Sequence, residues 1–168
     1  MKFGEQLRAS IIPEYQWSYI DYDGLKQLLK SPSGSIATWT DSKGKERTGP
    51  QWIDEDETKF VRKLESELDK VFTKHKVKSM EITRRIQSSE RDVQDVVSSL
   101  NDRGTGDSGP DEEEFISLEQ LLSDIITDVH DLAKFVQVNY TGFYKIVKKH
   151  DVRPALNDDS PISVWLVD

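Results

Sequence analysis

Between Val61 and Leu100, residues suited to a helix–helix seam recur in alternating steps of three and four. They are Val61, Leu64, Leu68, Val71, His75, Lys78, Ile82, Arg85, Ser89, Val93, Val96 and Leu100. Only a long α-helix with coiled-coil character places such a series on one side. Charges such as Glu65, Glu67, Lys70, Arg84, Glu90 and Arg91 lie between the seam positions and are read as outward-facing. Four seam positions near the centre (His75, Lys78, Arg85 and Ser89) are polar. Asp54 or Thr58 could cap the start of this helix, and the glycines and proline between Asp102 and Pro110 end it. A second seam follows at Leu118, Leu121, Leu122, Ile125, Val129, Leu132 and Val136. It begins after the acidic run Asp111 to Glu114, which suits the positive end of a helix dipole. Two long helices with matching seams and a short polar connection are expected to pack antiparallel.

The flanking segments are shorter. Residues 2 to 12 read as an amphipathic helix with Phe3, Leu7, Ile11 and Ile12 on one side, ended by Pro13 and the aromatic stretch Tyr15 to Tyr19. A second short helix is expected from Asp21 or Tyr22 to Lys30, burying Ile20, Leu25, Leu28 and Leu29. Ser31 to Pro50, with Pro32, Gly34, Gly44, Gly49 and Pro50, has no period and reads as a mobile loop. Gly142 interrupts a helical pattern, so the second long helix either kinks there or stops and restarts into Phe143 to His150. From Val152 to Asp168 no clear element is predicted. The fold class is therefore all-α: an N-terminal helical hairpin packed on a bundle of long antiparallel helices.

Composition narrows the function classes. At 168 residues the chain suits one domain. With no cysteine it has no disulfide framework, Cys-type zinc site or thiol nucleophile. The opening residues are too charged for a signal peptide. No apolar run approaches the roughly 18 residues that a membrane span requires, so no direct membrane insertion is expected. A net charge of −8 argues against nucleic acid as a partner, because a general nucleic-acid binder needs a broad basic surface. His75, His130 and His150 lack the spacing of a zinc site. Gly104, Gly106 and Gly109 have no following lysine and form no phosphate loop. No pair of carboxylates is singled out for acid–base work. No catalytic residue, metal site or cofactor is predicted, and the chain is read as non-enzymatic.

An acidic protein can still bind anions where its cations are concentrated. Tyr22, Lys26 and Lys30 follow one another at four-residue steps on one helical stripe, and Lys145, Lys148 and Lys149 share another face. A phenol beside several ammonium groups suits a ligand with several phosphates, combining a directional donor with charge neutralisation. Spacing alone favours a solvated surface, and lysines near a helix C-terminus also complement the dipole without any ligand.

Three blocks change that balance. Met1-Lys2-Phe3-Gly4-Glu5-Gln6-Leu7, then Pro13-Glu14-Tyr15 with Tyr19-Ile20-Asp21-Tyr22-Asp23-Gly24-Leu25-Lys26, resemble the start of an SPX domain. Leu132 to Phe135 and Asn139 to Asp151 resemble the closing signature of the same family. Within it, Leu64 to Thr73 and Ser123 to Phe135 resemble the polyphosphate polymerase subunit of the fungal vacuolar transporter chaperone complex. The resemblance implies a domain over residues 1–151 that binds an inositol polyphosphate or pyrophosphate as a signalling ligand, in phosphate and polyphosphate homeostasis. It places Tyr22, Lys26 and Lys149 in the phosphate-binding cluster and Lys145 and Lys148 on the adjoining surface, with Lys2 and Lys30 flanking. Other subunits of the chaperone complex are implied as partners, and the cytosol, at the face of the vacuolar membrane, as the location. The alternative is a helical scaffold whose long seams recruit partner proteins. After Asp151 the family pattern is lost: Val152 stands where a lysine is expected, and Arg153-Pro154 follows. Residues 152–168 are therefore expected to be a divergent tail, from a truncated or alternatively spliced end or the read-through of an unspliced gene, with no catalytic domain behind it.

Overall fold

The computed structural model describes residues 2–40, 44–101 and 112–151. The linker expected at 102–110 and the tail at 152–168 lie outside the described residues. The elements are α1 (Phe3–Ala9), a 3₁₀ turn (Pro13–Ser18), α2 (Tyr22–Lys30), β1 (Ile36–Thr40), β2 (Glu46–Pro50), α3 (Asp54–Asn101) and α4 (Glu112–Asp151). The fold is that of an all-α domain with one small hairpin, and it divides into two units through which α3 and α4 both run. One comprises residues 1–72 and 137–168, the other Thr73–Val136.

In the first unit the core is Tyr15, Tyr19, Ile20, Leu25, Leu29, Phe60, Phe143, Ile146 and Val147, all buried. α1 begins with the Lys2 N–H donating to Glu5 Oε2 at 3.1 Å, which satisfies one of the donors a helix start leaves open. Pro13 opens the 3₁₀ turn, where its missing N–H costs nothing. Asp21 caps α2 by accepting from the Gly24 N–H at 2.9 Å. Its carboxylate fills the space over Gly24, and a Cβ there would lie 2.2 Å from Asp21 Oδ2.

Ile36–Thr40 and Glu46–Pro50, read from sequence as part of a mobile loop, instead form an antiparallel ladder with Ile36 opposite Pro50, Thr38 opposite Thr48 and Thr40 opposite Glu46. The signal was the β-branched residues Ile36, Thr38 and Thr40 at alternate positions, masked by the surrounding glycines and prolines. Gly44 has a φ of 74°, a conformation that favours glycine. The base of the hairpin is tied by the Gly34 N–H to the Gln51 carbonyl at 3.0 Å and the Gln51 N–H to the Ser35 carbonyl at 2.9 Å.

α4 continues through Gly142 without stopping. The glycine is there for space: a Cβ at 142 would lie 2.9 Å from Ile20 Cγ2 and 3.5 Å from Phe3 Cε1. One turn earlier, Asn139 is buried and its Oδ1 accepts from the Ile20 N–H at 2.8 Å. The segment between the 3₁₀ turn and α2 is thus fixed to α4 by a close approach and a buried hydrogen bond.

In the second unit α3 and α4 run antiparallel. Arg85 pairs with Asp128, and Val93 and Val97 lie across from residues 115–126. The seam differs from the expected one by a residue in several places. On α3, Phe60 and Glu67 are buried rather than Val61 and Leu68. On α4, Asp128 turns inward rather than Val129, which is exposed, as are Leu122 and Val136. Pairing explains both shifts. A carboxylate occupies a seam position when cations and N–H groups are arranged to meet it. Asp128 meets Arg85 and lies 3.9 Å from the buried Lys78 ammonium, which also reaches Glu81 at 3.2 Å.

Candidate functional site

The phenol and lysines predicted from sequence fall in the first unit. Tyr22 is the first residue of α2 and is buried, with its ring edge-on to Phe3 at 4.9 Å between centroids. Lys145 on α4 holds its ammonium 5.2 Å from the centre of the same Phe3 ring, within reach of a cation–π attraction. Phe3 therefore joins Tyr22 to Lys145, with Lys2 next to it in sequence. Lys26 lies one turn beyond Tyr22 on α2 and is half-buried, whereas Lys30, Lys148 and Lys149 are exposed. These four share helical faces with Tyr22 and Lys145 by spacing.

Phe3 was assigned only a core role in the sequence reading. Its contribution depends on contacts from three separate segments, which no local period reveals. Gly142 gave a partial signal, as a glycine within an apolar helical pattern.

Carboxylate pairing divides the lysines of the described residues, and Lys76 and Lys134 in the second unit also fall among the unpaired ones. Lys59 pairs with Glu55 at 2.7 Å, Lys63 with Glu67 at 2.9 Å, Lys70 with Glu67, and Lys78 with Glu81. Lys2, Lys26, Lys30, Lys145, Lys148 and Lys149 have no carboxylate within 4.0 Å of their ammonium groups among the described residues. The nearby acid Asp23 is engaged by Arg8 at 3.3 Å. The cations are left available on a protein with a net charge of −8. Burial, and then the neighbouring Asp23 carboxylate, push the Tyr22 phenol above its ordinary value. It stays protonated at neutral pH and offers an O–H donor.

Two clusters hold the lysine-bearing elements in place. Glu67 on α3 is buried and accepts from the Asp21 N–H at 2.8 Å, while pairing with Lys63 and Lys70. Lys63 also lies 3.5 Å from Asp21. This fixes the start of α2 one residue before Tyr22. Burial pushes the Glu67 carboxyl up, but Lys70, Lys63 and the Asp21 N–H outweigh it and hold it below its ordinary value. At the end of α4, the His150 ring stacks on Phe60 at 4.8 Å and 9°, and His150 Nε2 lies 2.9 Å from Glu57 Oε2. Trp52 Nε1–H donates to the same oxygen at 2.8 Å. The turn carrying Lys148 and Lys149 is thereby anchored to α3.

Such an arrangement can hold a polyanion by charge and hydrogen bonding. The chain is similar to SPX domains. Residues 1–48 match the family model described as the SPX domain. Over 151 residues it is 44% identical to subunit 4 of the vacuolar transporter chaperone complex of Schizosaccharomyces pombe, covering 90% of this chain and 18% of that protein. It is 33% identical over 153 residues to subunit 2 of that complex from Saccharomyces cerevisiae, covering 90% of this chain and 16% of that protein. The chain thus spans less than a fifth of these curated relatives. The solved structure of the SPX domain of Chaetomium thermophilum glycerophosphodiester phosphodiesterase 1, in complex with inositol hexakisphosphate, superposes with a TM-score of 0.70 at 26% identity. That match covers 99% of this chain and 83% of the other. Among the described residues no helix is long and apolar enough to cross a membrane.

Proposed function

We propose that this chain binds an inositol polyphosphate or pyrophosphate through Tyr22, Lys26, Lys145, Lys148 and Lys149, flanked by Lys2 and Lys30, as a sensor in phosphate and polyphosphate homeostasis. The observation that carries the reading is that six lysines of the N-terminal segment, α2 and the end of α4, in the same unit as a protonated phenol, have no carboxylate partner among the described residues of an otherwise acidic protein. The likeness to an SPX domain solved with inositol hexakisphosphate supports it. The likeness to vacuolar transporter chaperone subunits supports other subunits of that complex as partners, at the cytosolic face of the vacuolar membrane.

The domain makes and breaks no bond in this role. A ligand neutralises mutually repelling lysines and draws α1 and α2 against the end of α4, and it signals through its preference for one arrangement over another. Calorimetric titration with inositol hexakisphosphate at low ionic strength should give micromolar or tighter binding that weakens steeply with added salt. Absence of heat together with absence of thermal stabilisation by the ligand overturns the proposal.

A further inference from the structure

The second unit has a groove of about 530 Å³ with one wall from α3 and one from α4. Val93, Val96 and Val97 line the first wall, and Phe115, Leu118, Leu122 and Ile126 line the second together with Glu119 and Ser123. Several of these side chains are well exposed: Phe115 at 46%, Leu122 at 42%, Ile126 at 58% and Val97 at 49%. The apolar stripe of each helix is therefore wider than the antiparallel pair covers, and on this side the uncovered parts face a common trough. Phe115, Leu118, Leu122 and Ile126 follow one another at steps of three and four, so the apolar wall runs along α4 for about 16 Å. A helix of about three turns fits that length, in the manner of an amphipathic helix laid in a groove.

Charge selects the occupant. The flanking stretches 86–101 and 112–126 contain eight carboxylates and a single cation, Arg91. All eight are exposed, and Glu119 lines the groove itself. Such a rim favours a basic partner and repels an anionic lipid surface. The segments of this chain that could fold back onto it fit poorly. Residues 102–111 contain no large apolar side chain, and the tail 152–168 is itself acidic, with three aspartates and one arginine. We infer that this groove is a docking site for a basic amphipathic helix of a partner protein, about three turns long, with leucine-like side chains in the trough and lysines or arginines along the rim.

The probe is a 14-residue peptide, capped at both ends, with leucines at helical i, i+3, i+4 spacing and lysines elsewhere. Titrated into the full chain at low salt, it should bind with a dissociation constant of tens of micromolar or tighter. A glutamate-for-lysine version, and a scrambled peptide of the same composition, should bind at least about tenfold more weakly. Leu122→Ser combined with Ile126→Ser should weaken binding of the leucine–lysine peptide by a similar factor while leaving helicity and inositol hexakisphosphate binding unchanged. Both side chains are already partly solvent-exposed, so the fold tolerates the change. Equal binding by the scrambled peptide, or undiminished binding by the folded double variant, overturns the inference. So does self-association of the chain that the double variant abolishes, which assigns the groove to a second copy. An increase of about tenfold or more in peptide affinity upon Trp165→Ala with Leu166→Ala assigns it to the chain's own tail and overturns it as well.

Discussion

The lysines near the ends of α2 and α4 and the cations inside the second unit are the same kinds of residue put to opposite uses. Lys78 is buried and faces Asp128 and Glu81, and Arg85 is closed onto Asp128. Lys26, Lys145, Lys148 and Lys149 have no such partner among the described residues. A charge met by its counter-charge in the interior specifies which helical faces meet. A charge left unmet at a surface, next to others of its sign, costs stability that a polyanion can restore. Charge content does not separate the two cases in the sequence, because the deciding information is the carboxylate at the other end of a long-range contact.

The widest separation between the two regions should come from removing unpaired cations. Lys26→Ala with Lys149→Ala should weaken inositol hexakisphosphate binding by at least about 100-fold in calorimetry, because each charge-assisted contact is worth about 1.5–3 kcal/mol. Melting temperature should not fall. Lys59→Ala, which removes a lysine already paired with Glu55, should leave binding within about twofold. A fall as large for Lys59→Ala would erase the distinction between paired and unpaired lysines.

The mirror experiment is Asp128→Ala, which takes the carboxylate from Arg85 and one of two nearby carboxylates from the buried Lys78, whose ammonium keeps Glu81. It should destabilise the fold by about 3 kcal/mol, lowering the melting temperature by roughly 6–12 °C. Affinity for the ligand, measured well below the melting point, should stay the same. Gly142→Ala should cost about 1–3 kcal/mol in thermal unfolding, since its methyl group would press on Ile20 and Phe3. Tyr22→Phe removes only the phenolic donor and should weaken ligand binding by about tenfold or less, with no loss of helicity.

Acid sharpens the same contrast. Burial pushes the Asp56 carboxyl up, but donation from the Ser33 hydroxyl, the Ser33 N–H and the Ile53 N–H, with Lys59 nearby, holds it below its ordinary value. Glu67 is lowered as well. A lowered folded-state value means stability that is present above the ordinary carboxylate range and lost as pH falls through the lower folded values. Unfolding free energy measured by urea titration should therefore be flat from neutral pH to about pH 5 and decline below about pH 4. The decline should be smaller in Glu67→Gln than in the parent.

Much of this was readable in the chain. The two long helices follow from period, and spacing and family likeness are what single out Tyr22, Lys26 and the lysines at 145, 148 and 149 as the proposed site. The seam was misread wherever a charged residue occupied it. Glu67 is read outward because a carboxylate is ordinarily solvated, and Leu68 and Val129 are read inward where the structure turns Glu67 and Asp128 in. Neither assignment could be corrected locally, since the Asp21 N–H that meets Glu67 is 46 residues away and Arg85 is 43 residues from Asp128. The hairpin of β1 and β2 was missed because its strands are only five residues each, with glycine and proline on every side. The link that Phe3 makes between Tyr22 and Lys145 is visible only in three dimensions, because both meet on its ring.

The partners gathered on Glu67 also limit how the sequence can drift. Lys63, Lys70 and the Asp21 N–H all converge on one carboxylate. An apolar residue at 67 would suit the helix seam and abandon two cations and a backbone donor. A lysine there would add a third cation to the pair. Substitutions at 63, 67 and 70 are therefore tolerated together more readily than singly, and homologues that lose the acid at 67 should show compensating changes at both lysines.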